Sequence, residues 1–403
     1  MNILLLLPSL DPVDGGPPES MRTLSRAFAR LGHRVEIATL DDPSAPFLSN
    51  LDCPVTALGP GRLGKYRHAP ALKSWLRARG PEFDIVVVNG VYQYHSFAAR
   101  SVLRQIGVPY VVFTHGALDP WFKRRYPLKH VKKWLYWPWA DYLVLRDAAR
   151  VLFTTDEERL LARQSFWLYS AREAVVGYGT ARPPAATDQQ VEGFYRLFPQ
   201  LRGKRLLLFL SRIDRKKGCE LLLEGFSRCA SLDPNCVLVM AGPDSSGWRA
   251  ELEQFAATLA ITDRVVWTGM LHGDNKWGAY RASDAFVLTS HAENFGIVVV
   301  EALACGTPTL ISNRVNIWRE VERAGAGLVQ PDTVAGSEAM LRKWLTMPPE
   351  RAAQIRKATI PLFDSDFEID RVAANILKVL SACTRDGAPA AHSHVSPPDS
   401  TVR

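Results

Sequence analysis

The sequence predicts an α/β protein of two doubly wound domains, and three observations carry that expectation. Its 403 residues suit two domains. Short apolar, β-branched runs alternate with helix-length stretches, the pattern of parallel strands joined by crossover helices. A Pro- and Ala-rich break, Thr180–Thr187, divides two such series and reads as an interdomain linker.

Composition sets the outer limits. A 47% hydrophobic and 22% charged chain can form a sizeable core. The six cysteines are scattered with no close-spaced pair, which reads as reduced thiols in a cytosolic setting and argues against a metal site. Met1–Pro8 lacks a basic leader and reads as a first buried strand, not as a signal peptide. No apolar run approaches the length of a membrane span. The net charge of +8 is uneven: residues 1–180 hold 23 Lys+Arg against 16 Asp+Glu, and the remainder holds 26 against 25. The first half is therefore expected to meet an anionic partner, such as a membrane surface or an acidic acceptor.

In the first domain, expected over residues 1–180, residues 2–8 read as a strand. A loop with Gly15 and Gly16 follows, then a helix ended by Gly32. Strand, glycine loop and helix in that order suit a phosphate, although the full dinucleotide fingerprint is missing. Val35–Leu40, Asp84–Val88 and Tyr110–Thr114 read as further buried strands. His115-Gly116 lies at the carboxyl end of the last, where a side chain faces the ligand crevice. Asn89, Tyr92, Tyr94 and His95 follow another strand end and are acceptor-side candidates by position. Residues 121–139 carry six Lys or Arg and no acid, interleaved with aromatics; Lys123, Arg124, Arg125, Lys132 and Lys133 are among them. This suits an anionic bilayer interface or a phosphate-bearing acceptor. Single-stranded nucleic acid uses similar chemistry, and a helix packing its aromatics on the sheet would look the same. Arg150–Thr154 and Glu173–Val176 complete the series.

In the second domain, expected over 190–360, Arg205–Leu210 is a strand. The loop Ser211–Gly218 follows, with Arg212 and Lys217, and then a helix. An Arg fork and a Lys point charge ahead of a helix N-terminus suit a diphosphate. Val237–Gly242 and Arg264–Thr268 are the next strands, the latter leading to Gly269-Met270-Leu271. Asp284–Thr289 leads into the most informative stretch, His291 to Pro308. A polar loop with Glu293, Asn294 and Phe295 reaches Gly296. A β-branched helix opens at Ile297, carries Glu301, and stops at Gly306 and Pro308. A helix N-terminus here favours phosphate. The two glutamates are placed to hold two ends of one polyhydroxylated ligand. A helix near Phe367–Leu380, within 361–384, is expected to return to the first domain, and 385–403 reads as a disordered tail.

Glu-Asn-Phe-Gly, four further residues to Glu301, and Cys-Gly-Thr-Pro resemble the signature of glycosyltransferase family 4, retaining enzymes of the GT-B fold. The resemblance covers most of the chain and is strongest from Arg205 to Val329. It implies two Rossmann-like domains facing across a cleft and transfer of a sugar from a nucleotide-sugar, such as a UDP- or GDP-sugar, to an acceptor hydroxyl. Gly15 and Gly16 would close over the donor, Arg212 and Lys217 would hold its diphosphate, and Met270 and Leu271 would border the base. Glu293, with the backbone of Asn294–Ile297, would hold the sugar, Glu301 the ribose, and His115 would face the sugar from the other domain. The departure from the family pattern is Ser211, where glycine is usual. No cofactor, metal or nucleic acid is implied. A glycan or lipid-linked acceptor for envelope or exopolysaccharide synthesis, used in the cytoplasm beside an anionic membrane, is the expected context. A sugar-nucleotide epimerase of the same fold, or a non-catalytic nucleotide-sugar- or membrane-binding module, are the rival expectations.

Overall fold

The computed structural model describes residues 1–14, 16–49, 51–125 and 127–384. Gly15, the side chain of Arg124 and the tail from 385 lie outside the described residues.

The first sheet holds seven parallel strands: β1 Asn2–Leu6, β2 Arg34–Thr39, β3 Val55–Ala57, β4 Ile85–Asn89, β5 Tyr110–Phe113, β6 Arg150–Phe153 and β7 Glu173–Val175. Their order is β3-β2-β1-β4-β5-β6-β7. The second sheet holds β8 Arg205–Leu210, β9 Cys236–Ala241, β10 Val265–Gly269, β11 Ala285–Leu288, β12 Thr309–Ser312 and β13 Gly327–Gln330, in the order β10-β9-β8-β11-β12-β13. Helices cover both faces, so the central strands are apolar along their length; Ile3 to Leu6 and Leu206 to Phe209 have no exposed surface. The strand order reverses between β1 and β4 and between β8 and β11, and ligands bind such sheets outside the carboxyl ends at those reversals.

Two strands escape the sequence reading. Val55–Ala57 is a three-residue edge strand whose residues are only half-buried, too short and too wet to carry a pattern. Gly327–Gln330 begins on the last glycine of the run Gly325-Ala326-Gly327, where glycines mask the strand pattern. Gly327 is required there because a Cβ would sit 1.9 Å from the Thr309 carbonyl oxygen.

The chain crosses back to the first domain later than residue 361. The helix Pro349–Leu362 ends first, Phe363–Phe367 makes the turn, and Glu368 caps the last helix, Ile369–Ser381, by accepting from the Asp370 and Arg371 amides. That helix lies beside Gly16–Arg30, with Val372, Ile376 and Leu380 in one buried cluster with Met21, Leu24 and Phe28. Arg30 pairs with Asp370 on the rim of this contact. One face of the first sheet is thus covered jointly by the first and last helices of the chain.

Candidate active site

The charged wall of the cleft is built by the loops that leave β8 and β11. After β8, Asp214 accepts from the Lys216 amide and caps a turn, Arg215–Lys217. Gly218 then passes with φ +64, where a Cβ would lie 2.2 Å from the Thr289 carbonyl oxygen. This geometry buries Lys217 and sets its Nζ directly on Glu293 Oε2. Lys216 lies over the Trp121 ring at 5.5 Å. Arg212 is exposed and has no hydrogen-bond or ion-pair partner among the described residues. Ser211 does not have positive φ, so the glycine usual at this place is not needed for its backbone.

Glu293 is pinned from both sides. Its amide donates to the Arg314 carbonyl at 2.8 Å and its carbonyl accepts from the Asn316 amide at 3.0 Å. Burial alone would raise its carboxyl, but Lys217, Lys216 and Arg212 outweigh that and hold it below the usual carboxylate range. Three cations against one carboxylate leave net positive charge, which suits a diphosphate. Gly296 has φ +77 and would bring a Cβ to 3.2 Å from both Val299 and Val315. It opens the helix Ile297–Ala304, whose first amides face the same cleft loop. Farther along that helix, Glu301 Oε1 accepts from Lys276 Nζ at 2.8 Å and Oε2 from the Tyr280 hydroxyl at 3.0 Å.

The opposite wall centres on an uncharged histidine. His115, at φ +47, stacks on Phe113 with 4.4 Å between centroids and meets Tyr178 edge-on. Burial lowers its pKa to about 3, so the ring is uncharged near neutral pH. Asn89 fixes the tautomer. Its Nδ2 donates to the Val87 and Leu6 carbonyls, so its Oδ1 accepts from His115 Nε2 at 2.9 Å and Nδ1 is the ring's acceptor. His115 and Asn89 line a cavity of 340 Å³ with Ser9, Pro17, Lys65 and Arg67. A larger cavity of 540 Å³ lies against Gly327–Gln330 and includes none of these cleft residues.

Glu158 ties this wall together and was not anticipated from sequence. Its carboxylate is 3% exposed. It accepts from the Gly116 amide at 2.6 Å, the Thr114 hydroxyl at 2.7 Å, and the Thr154 amide and hydroxyl at 2.7 Å each. Thr155-x-x-Glu158 reads in sequence as a helix-capping pattern, and Thr155 does cap, so the carboxylate's reach to Gly116 was hidden. Because the Thr154 hydroxyl donates to Glu158, its lone pair faces Asn294 Nδ2 of the other domain at 3.5 Å. Gly116, at φ +74, touches the same side chain; a Cβ there would be 2.5 Å from Asn294 Cγ. Asn294 Oδ1 is buried against Gly116 with no hydrogen-bond donor among the described residues. Arg319 to Glu157 adds an ion pair across the cleft.

Several sequence candidates take other roles. Phe295 is buried between Tyr178 at 5.0 Å and Phe367 at 5.7 Å, so it plugs the domain junction and its ring offers the donor nothing. Leu271 is part of the second core, while Met270 is 57% exposed at the turn. His95 is fully buried with Nε2 on the Asn89 carbonyl at 2.8 Å, and Tyr94 is buried against Tyr66 and His68; neither serves an acceptor. Tyr92 (φ +68) packs against Trp137 and Phe166 with Lys133 Nζ 3.8 Å above its ring, so both residues are structural. Beneath them, burial pushes the Asp141 carboxyl up to about 7, against the pull of the Tyr92 amide and Lys133. Lys123, Arg125 and Lys132 are exposed. Gly16 opens the first helix with nothing within 4 Å of an added Cβ. Among the described residues, no group of three His, Cys, Asp or Glu is placed to hold a metal ion.

Residues 198–360 match the model of glycosyl transferases group 1, and residues 15–179 that of the glycosyl transferase 4-like domain. A D-inositol 3-phosphate glycosyltransferase of Frankia alni is 30% identical over 320 residues, 71% of this chain and 75% of its own length. The chain belongs to glycosyltransferase family 4. An uncharacterized glycosyltransferase of Methanocaldococcus jannaschii is 31% identical, but over 146 residues, so the chain spans only 37% of that relative's length. In three dimensions, the Anabaena protein HepE in complex with UDP-glucose matches with a TM-score of 0.74 at 19% identity, over 95% of this chain and all of that one. The fold of the family 4 member is accordingly GT-B.

Proposed function

We propose that this family 4 member is a retaining, metal-independent glycosyltransferase that moves a hexosyl group from a nucleoside-diphosphate sugar to an acceptor hydroxyl. The observation that carries this reading is the buried Lys217–Glu293 pair, flanked by Lys216 and Arg212. As the bond from the anomeric carbon to the diphosphate breaks, negative charge grows on the leaving oxygen. Arg212, Lys217 and the amides at Gly296 stabilise it. Glu293, with the backbone around Asn294–Gly296, holds the sugar hydroxyls, and Glu301 takes the ribose beside Lys276 and Tyr280. The acceptor oxygen joins the anomeric carbon on the face the diphosphate leaves, and its proton passes to a leaving phosphate oxygen. This front-face course is the one we favour; a trapped glycosyl–enzyme adduct would overturn it.

The donor favoured first is a UDP-sugar, the class held by HepE, with a GDP-sugar second. The acceptor we infer is a glycan or lipid-linked glycan of envelope or exopolysaccharide synthesis, used in the cytoplasm beside an anionic membrane; the basic excess of the first half supports this. A thermal-shift and calorimetric screen of UDP, GDP, ADP and their sugar conjugates tests the donor site. One nucleotide is expected to stabilise the protein, at least ten times more weakly in Arg212→Ala, and chelators should leave binding unchanged. No nucleotide binding to the folded protein would sink the assignment. Product analysis with donor alone separates transfer from epimerisation.

A further inference from the structure

The helix Pro127–Tyr136 is amphipathic the wrong way round for a surface helix. Its inward side carries His130 and Lys133, and Trp137, the first residue of the turn that follows, continues that line. His130 lies on Phe166 at 4.7 Å, Lys133 over Tyr92, and Trp137 stacks on Phe166 at 3.9 Å while its Nε1 donates to the Leu168 carbonyl. The outward stripe, spaced i, i+3, i+7, is Leu128, Val131 and Leu135, 83%, 56% and 66% exposed. Trp139 and Trp167, also exposed, extend it, and Trp134 joins through a 6.4 Å contact with Trp167. A continuous apolar face of this kind on a domain surface is costly unless something covers it.

We propose that this face docks on an anionic lipid bilayer, with the catalytic cleft opening beside the membrane. The charge around it selects the occupant: residues 121–139 contain six Lys or Arg and no acid, and Lys123, Arg125 and Lys132 are exposed. Leu and Trp at acyl depth with Lys and Arg at headgroup level is the composition of an interfacial helix. A nucleic acid would leave the aliphatic stripe unused. Among the described residues no helix is long and apolar enough to cross a membrane, so this contact lies in the interface plane.

The face is joined to the cleft at both ends. At its head, Trp121 and Arg125 line a 530 Å³ cavity with Lys216 and His291 of the donor-side loops. At its tail, the Tyr136 hydroxyl is 3.2 Å from that of Tyr66, whose neighbour Lys65 lines the cavity that ends at His115. A docked helix therefore holds the acceptor-side cavity near the headgroups, where a lipid-linked acceptor presents its hydroxyl. This deepens the transferase reading and rests on it for the acceptor, whereas the docking itself does not.

Vesicle flotation of the full chain tests the proposal, using phosphatidylcholine vesicles with and without 30% phosphatidylglycerol, at low and high salt. Nucleotide binding is measured in parallel to report the fold and the donor site. Wild type should float with the anionic vesicles only, and less at high salt. Leu128→Glu with Leu135→Glu should abolish flotation, and Lys132→Gln should lower partitioning about five-fold, both with nucleotide binding retained. No flotation on anionic vesicles at low salt overturns docking, as does equal flotation on neutral vesicles. A double variant that still floats but turns a dimer into a monomer assigns the face to a second copy and also overturns it. Loss of nucleotide binding in wild type would instead sink the transferase reading.

Discussion

The two walls of the cleft solve one task with opposite chemistry. The second-domain wall is ionic: Lys217, Lys216 and Arg212 gather round Glu293 and hold its carboxyl down. The first-domain wall centres on a neutral group: His115 is kept uncharged by burial, stacked on Phe113 and oriented by Asn89, with Lys65 and Arg67 farther round the same cavity. Its carboxylate, Glu158, is withdrawn behind the backbone and accepts from four donors. The difference teaches which half is fitted to which partner. A cationic cluster of this kind suits a diphosphate, and a neutral ring held in one tautomer suits hydroxyl groups.

Breaking the ionic wall should have the largest effect. Lys217→Ala removes a charge from the proposed diphosphate site and leaves Glu293 without its direct partner. Turnover is expected to fall about 10²–10³-fold, and the acid limb of the kcat/KM profile to move up, because the Glu293 carboxyl loses the strongest pull against its burial. An unchanged acid limb would separate Glu293 from that limb.

Breaking the support behind the first-domain wall should cost stability before chemistry. In Glu158→Gln a side-chain NH₂ must face a donor, either Gly116 and Thr114 or Thr154. Urea unfolding should show a loss of about 2–4 kcal/mol. Transfer should fall while nucleotide affinity, set by the other domain, stays within about two-fold of wild type. Equal losses of both would mean that Glu158 supports the fold as a whole.

The smallest and most diagnostic effect sharpens the claim of neutrality. His115, with a pKa of about 3, and His95, with about 4, both sit below the unfolded value near 6.5. Between those limits the unfolded chain binds protons that the folded chain refuses. Stability contributed by each is complete above about pH 6.5 and falls as pH drops, by about 1.4 kcal/mol per pH unit per histidine. His115→Asn should flatten the stability–pH slope by one such increment between pH 4 and 6, read from urea midpoints. An unchanged slope would mean that His115 is protonated in the folded state.

Legibility from sequence divided along the same line. The ionic loops were readable because their pattern is local: Arg212 to Lys217 between a strand and a helix, and Glu293 to Gly296 before a helix N-terminus. The first-domain wall was only half readable. His115 stood at a strand end, but Asn89 and Glu158, which set its tautomer and its turn, lie 26 and 43 residues away along the chain. Glu158 was masked by its place in a capping pattern. Phe295 stood inside the signature yet serves the domain junction, and Leu271 stood at the base-side turn yet enters the core.

The sequence by itself determined the alternation of strands and helices, the linker and the cationic loops, since strand period, glycine stops and charge act over a few residues. Only the tertiary structure decided which side of Pro127–Tyr136 faces out, which residues bridge the cleft at Gly116 and Asn294, and how the last helix joins the first in one core. These depend on contacts between segments far apart in the chain. Burial there sets charge state and exposure, and no local pattern encodes it.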